Sequence, residues 1–358
     1  MTSTRRPDTA LAPFPTAEGA ETVSQKSSNE SGSPTPIILD VDTGVDDACA
    51  LLMAALHPDV ELLAVTCVSG NVSVNDVVRN TLKVLDIAGR HDVPVAGGAA
   101  RPLLEPGREA RHVHGADGMA DLHWPESERH VDARHAVELL RDLLSEAAAG
   151  EPTDRITLVT LAPMTNIALL LRTYPEAAGG LREIVFMGGA AQVGNATASA
   201  EFNVWHDPEA AAIVLESAAE LEIPVVMYGL DVFYDVRVSR EQAAELIGVG
   251  RRGPAELAGR LIDYQCDRLG QEDATIGDAG AVCAVIDRGG LTTTRLPVRL
   301  ELAGTYSRGR TIVDCRDWSG DLAHDPQVVA STSVEVAMSV DGDRYAGLWL
   351  RTVKATNL

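Results

Sequence analysis

The chain has 358 residues, 45% of them apolar, and its 52 acidic against 30 basic side chains give a formal charge of −22. That length and apolar content fit a globular protein with a sizeable core and exclude a fibrous or wholly disordered chain. The acidic surplus repels nucleic-acid phosphates and anionic membrane surfaces within a Debye length of about 8–10 Å, so neither is expected as a partner, and no segment reaches the ~18 consecutive apolar residues of a membrane span.

Residues 1 to about 34 are rich in Ser, Thr, Pro, Glu and Ala without apolar periodicity, which predicts a disordered N-terminal tail. Its two arginines are not followed by an apolar stretch of ~7–15 residues, so it does not read as a secretory signal. Beyond it the texture changes. The runs PIILDV (36–41), VELLAVTCV (60–68), RITLVTL (155–161), REIVFM (182–187) and IPVVMYG (223–229) are short and rich in Val, Ile and Leu, as strands buried on both faces of a parallel sheet require. Between them lie helical stretches at 46–58, 72–90, 132–150, 164–175 and 207–218. This alternation predicts right-handed β-α-β crossovers and an α/β fold: an open, mostly parallel, Rossmann-like sheet with helices on both faces.

In the last third, helices are predicted near 240–248, 254–270 and 279–288, then strands near 296–303, 310–314 and 330–339, as a C-terminal elaboration. No Pro/Gly/Ser-rich linker divides the chain, so residues 35–358 are expected to form one domain. The five cysteines, Cys49, Cys67, Cys266, Cys283 and Cys315, are scattered and never spaced C-x-x-C, which signals neither a disulfide framework nor a zinc site. A reducing, cytoplasmic location is the expectation.

The segment Ile38 to Leu52, ILDVDTGVDDACALL, is the most informative. Asp40, Asp42, Asp46 and Asp47 straddle the end of a strand and the start of a helix, where ligands bind in open α/β sheets. Carboxylates so close raise one another's pKa unless a cation compensates them, and oxygen ligands without Cys or His favour calcium or magnesium. Two other readings stand beside this one. Asp46 and Asp47 suit a helix N-terminus, and Asp40, furthest back in the strand, could simply tie down the loop. D-x-D after a first strand also opens the haloacid-dehalogenase phosphatases, but Gly44 stands where that signature expects Thr or Val, and no basic phosphate-binding motif follows.

DVDTGVDDA, followed in order by VSGN (68–71), HVHGADG (112–118), LAPMTNIA (161–168), FMGGA (186–190) and GNATASAEFNVWHDPEAA (194–211), resembles the inosine-uridine-preferring nucleoside hydrolase family from about Pro36 to beyond Asp287. The resemblance implies calcium-dependent cleavage of the N-glycosidic bond of ribonucleosides. It implies Asp42, Asp47, Asp278 and the backbone carbonyl of Leu161 as calcium ligands, with Asp42 also the general base. Asp46, Asn71 and Asn203 would bind the ribose 2′ and 3′ hydroxyls beside Asp278, and Asn195, Glu201 and Met187 the 5′ end. His114 would touch the base. A small-molecule nucleoside partner and a homodimer or homotetramer are further implied.

Each residue has a plainer reading. Asn71 and Asn195 follow glycines and suit turns, a loop histidine such as His114 is commonly solvated, and Asp207 before Pro208 reads as a helix cap. The chain also departs from the family. Gly277 stands where some members place a histidine that protonates the leaving base, and Tyr264 is the only aromatic residue in the 263–280 stretch. Trp124, Trp205, Trp318 and Trp349 lie elsewhere, so base preference stays open. A binding protein that kept the calcium site but lost turnover is the alternative from another class.

Overall fold

Strands and helices follow the apolar pattern of the sequence in the computed structural model, which describes residues 33–250, 252–316 and 332–355. β1 (Thr35–Val41) leads into α1 (Val45–Leu56), β2 (Val60–Cys67) into α2 (Val74–Ile87), and β3 (Val95–Gly97), through the short α3 (Arg111–His114), into α4 (Ala136–Ala149). β4 (Ile156–Thr160), α5 (Thr165–Thr173), β5 (Leu181–Met187), α6 (Phe202–His206), α7 (Pro208–Glu220), β6 (Val225–Tyr228) and α8 (Leu230–Phe233) come next. The remainder comprises β7 (Arg237–Ser239), α9 (Arg240–Val249), α10 (Pro254–Leu269), β8 (Asp273–Thr275), α11 (Ala279–Ile286), β9 (Leu291–Leu300), β10 (Thr311–Val313), β11 (Thr332–Val340) and α12 (Gly342–Lys354).

The main sheet runs β10-β9-β11-β6-β5-β4-β1-β2-β3. Every pairing from β11 to β3 is parallel, and β9 and β10 add an antiparallel edge. Because successive strand residues face opposite ways, each central strand feeds two cores. Ile37, Leu39, Val159 and Val185 pack with α1, α2, α10, α11 and α12, whereas Ile38, Leu158 and Ile184 pack with α4, α5 and α7. Each such fully buried aliphatic side chain contributes about 1.5–3 kcal/mol relative to exposure. The chain winds outward from β1 through β2 to β3, then returns to lay β4 on the other side of β1. That reversal opens a crevice at the carboxyl ends of β1 and β4, the usual ligand position of such folds.

Several elements were not expected. β3 is three residues long, β7 and β8 form a separate antiparallel pair, and α12 closes the chain on the α1 face. β9 starts at Leu291 rather than near 296, because pairing with β11 recruits the polar Thr292–Arg295 stretch. Apart from Ser33 and Pro34, the expected tail lies outside the described residues, as does Trp318. Among the described residues, no helix is long and apolar enough to cross a membrane.

Candidate active site

The end of β1 at Val41 separates Asp40, still in the strand, from Asp42, Asp46 and Asp47 beyond it. Asp40 turns to the α5 face, where Oδ1 accepts hydrogen bonds from Thr66 Oγ1 at 2.6 Å and Asn166 Nδ2 at 2.8 Å, and burial pushes its pKa up to about 7. It ties β1 to its neighbours, the plainer of its two sequence readings. Asp42 lies just past β1 and is fully buried. Its Oδ2 accepts from the Asn71 backbone N–H at 2.7 Å and its Oδ1 from Asn71 Nδ2 at 3.2 Å. The approach needs glycine next door, since a Cβ on Gly70 would lie 1.9 Å from Asp42 Oδ2.

Asp47 does two jobs. Its Oδ2 accepts from Gly44 N at 2.9 Å and Asn71 Nδ2 at 3.3 Å, and its Oδ1 from Asp42 N at 3.2 Å, so it organises the first turn of α1 while remaining in the cluster. Asp278 arrives from the far end of the chain, at the start of α11, with no capping hydrogen bond from its side chain. One carboxylate oxygen from each of Asp46, Asp47 and Asp278 lies within 4.8 Å of the others. Asp42 is not part of this triplet, but it is in electrostatic contact with it. Burial first, then the charges of Asp46, Asp47 and Asp42, push the Asp278 pKa well up, and Asp42 is raised by burial and by Asp47.

These residues fit a divalent cation. Asp46 Oδ1 is buried without a hydrogen-bond partner, although the Asp46 side chain as a whole is 22% exposed towards solvent. A cation would neutralise the mutual repulsion and take up the orphaned lone pairs, and an all-oxygen donor set suits a hard ion.

Beside the cluster, the Leu161 N–H donates to Asp40 O at 2.8 Å, and its carbonyl accepts from Asn203 Nδ2 at 2.9 Å. The same Asn203 nitrogen reaches the Met187 carbonyl at 3.2 Å. Glu201 caps α6: Oε1 accepts from Asn203 N at 2.8 Å, and Oε2 from Gly189 N at 2.9 Å and Val204 N at 3.1 Å. Burial nevertheless pushes its pKa up to about 7, against the lowering effect of those N–H groups. Asn195 Oδ1 accepts from Phe202 N at 2.9 Å. Asp207 caps α7 through Ala210 N at 3.1 Å, and also accepts from Thr165 Oγ1 at 2.6 Å and Leu103 N at 2.9 Å.

His114 is not a solvated loop residue. It ends α3, is buried, and its Nδ1 accepts from Val45 N at 3.1 Å, 3.7 Å from Asp46 Oδ1. Burial pushes its pKa below the usual histidine value, so the ring is neutral with its proton on Nε2. Tyr264 from α10 donates to Val113 O at 3.3 Å and so anchors α3.

Gly277 has φ +56°, and a Cβ there would lie 2.6 Å from Asp46 Cβ and 3.0 Å from Phe233 Cζ. Both backbone and space therefore bar a histidine at this position. Phe233 and the adjoining Tyr234, which meet edge to face at 5.2 Å, were not singled out from the sequence. Their one available signal was position, five and six residues beyond the carboxyl end of β6 at Tyr228.

Residues 37–347 match the profile of the family described as inosine-uridine preferring nucleoside hydrolase. The inosine-uridine preferring nucleoside hydrolase of Leishmania major is 40% identical over 287 residues, covering 79% of this chain and 88% of that protein. The non-specific ribonucleoside hydrolase RihC of Salmonella typhi is 38% identical over 319 residues, 89% of this chain and 97% of its own. Among solved structures, a purine-preferring ribonucleoside hydrolase from Gardnerella vaginalis superposes with a TM-score of 0.80 at 27% identity, over 90% of this chain and 99% of that one.

Proposed function

Because the chain belongs to the inosine-uridine preferring nucleoside hydrolase family, and is thus an enzyme that cleaves ribonucleosides to ribose and free base, we propose that it does so at the carboxyl edge of the sheet with calcium as its metal. The observation that carries this placement is the convergence of Asp46 and Asp47 with Asp278, more than 200 residues away in sequence, on one buried spot at the β1/β4 switch point. Asp42, Asp47, Asp278 and the Leu161 carbonyl are the proposed ligands, and Asp46 lies close enough to join them. Calcium, when bound, supplies Lewis-acid polarisation of its oxygen ligands, which lowers the pKa of water and favours vicinal hydroxyls as ligands.

The protein's own groups do the rest. Asp42, oriented by two hydrogen bonds from Asn71, is the proposed base that takes the proton of the attacking water. Asp46, Asn71, Asn203 and Asp278 hold the 2′ and 3′ side of the ribose, and Asn195, Glu201 and Met187 the 5′ side. Oxygens gathered round the sugar stabilise an oxocarbenium-like transition state more than the neutral substrate. His114, neutral and with Nε2–H available, contacts the base. Gly277 has no side chain with which to protonate the leaving base.

We further propose that residues from 35 onward act as one unit. β11 pairs directly with β6, and α12 packs on α1, which favours this reading. A cytoplasmic homodimer or homotetramer is proposed on the free cysteines and the general symmetry of enzymes of this size, and light scattering in solution reads the assembly directly. The function itself is tested by following ribose release from inosine, uridine, adenosine, guanosine and cytidine with calcium and with chelator. Turnover that chelator abolishes and calcium restores is expected. Nucleoside binding by calorimetry without ribose release refutes catalysis in favour of a binding protein.

A further inference from the structure

Tyr228 is the last residue of β6 and is fully buried, yet its phenolic oxygen has no hydrogen-bond partner among the described residues. A buried hydroxyl left unpaired costs stability, and phenylalanine would fill the same ring volume without that cost. The oxygen is pressed instead against the first turn of α11: a Cβ on Gly280 would lie 2.1 Å from Tyr228 Oη, 2.7 Å from Cζ and 3.2 Å from Cε1. Only glycine fits beside the phenol, so ring and turn are matched to each other.

That turn carries Asp278. The N–H groups of Ala279, Gly280 and Ala281 donate to the carbonyls of Ile276, Gly277 and Asp278 at 3.2, 2.9 and 3.0 Å. The backbone from Gly277 to Ala281 is therefore one tight unit, and Gly280 cannot move without Asp278. The Asp278 side chain does not anchor this turn, since it makes no capping hydrogen bond. Tyr228, by contrast, is fixed in the sheet: it pairs with Met187 of β5, and its carbonyl accepts from Gly188 N at 3.3 Å. α11 also packs on α1, whose first turn holds Asp46 and Asp47. The phenol thus fixes how far Asp278 stands from the carboxyl edge of the sheet.

We infer that Tyr228 is a positioning residue for Asp278: its hydroxyl is a spacer against Gly280 that holds the carboxylate where it can share a calcium ion with its neighbours. Oxygen ligands at about 2.3–2.6 Å from the ion leave little slack in that placement. This role rests on the proposed place of Asp278 among the calcium ligands.

Calcium titration calorimetry and urea unfolding with chelator, both on the full chain, test it in wild type, Tyr228→Phe, Gly280→Ala, the double variant Tyr228→Leu with Gly280→Ala, and Asp278→Asn. Tyr228→Phe removes only the unpaired hydroxyl. It is expected to unfold at the same or a higher urea concentration while binding calcium about tenfold more weakly, the usual scale for losing a group that orients a metal ligand. A merely structural hydroxyl would move stability and leave affinity alone. Gly280→Ala forces the turn off the phenol and should weaken calcium binding at least as much; the double variant, whose leucine lacks all three atoms that crowd the new Cβ, should recover most of that loss. Affinity within about twofold of wild type in Tyr228→Phe, or a double variant that binds no tighter than Gly280→Ala, overturns the role of Tyr228. Should Gly280→Ala not fold, Tyr228→Phe decides alone. If Asp278→Asn weakens calcium binding and Tyr228→Phe does not, only the role of Tyr228 falls; if Asp278→Asn leaves affinity unchanged, the ligand set and the spacer fall together.

Discussion

Asp278 exposes the conflict between stability and function at the scale of one side chain. In the metal-free protein its carboxylate is buried against Asp46, Asp47 and Asp42, a repulsion that the proposed cation would offset. Asp278→Asn is therefore expected to make the metal-free protein more stable by about 1–3 kcal/mol in urea with chelator present. The same change should weaken calcium binding by at least a hundredfold in titration calorimetry; unchanged affinity would remove Asp278 from the ligand set. Glu201 carries a pH signature of its own. Burial raises its pKa from 4.5 to about 7, so the folded state keeps a proton that the unfolded chain releases. Ionisation thus opposes folding: the contribution is fully present below about pH 4.5 and is lost as pH rises through about 7. Measured by urea unfolding in chelator, wild type should lose up to about 3 kcal/mol more than Glu201→Gln across that window. Parallel curves for the two proteins would refute it.

At the scale of elements, α12 matters more than its place at the end of the chain implies. Trp349 is fully buried, and its Nε1 donates to Cys49 O at 3.1 Å in α1, the helix whose first turn carries Asp46 and Asp47. Trp349→Ala is expected to cost about 3–5 kcal/mol in urea unfolding, and Trp349→Phe much less; equal small effects would mean that α12 does not brace α1. This helix was not predicted, although its buried residues Tyr345, Ala346, Trp349, Leu350 and Val353 recur at helical spacing. The central strands were legible because a strand buried on both faces must be apolar throughout, which makes PIILDV and REIVFM stand out. β3 and the β7–β8 pair were not, since three residues carry no period. The site was read in part. That acidic residues would gather was visible in DVDTGVDD, but which of the four face the same way depends on where β1 ends, at Val41, and on the turn at Gly44.

For the whole molecule, the arrangement of strands sets how the site comes into being. β1 is central in the sheet but first in the chain, and its partner β4 is made only after β2 and β3. The carboxylate of Asp278 comes later still, from a helix that packs on α1. No contiguous stretch of the polypeptide holds a working fraction of the site, so catalysis is a late reporter of folding. After dilution from denaturant with calcium present, helical circular dichroism should recover before nucleoside cleavage does, and simultaneous recovery would contradict this order. A ribosome making this protein releases nothing useful until the last third has docked, since a chain truncated before α11 lacks both Asp278 and the β9–β11 edge of the sheet.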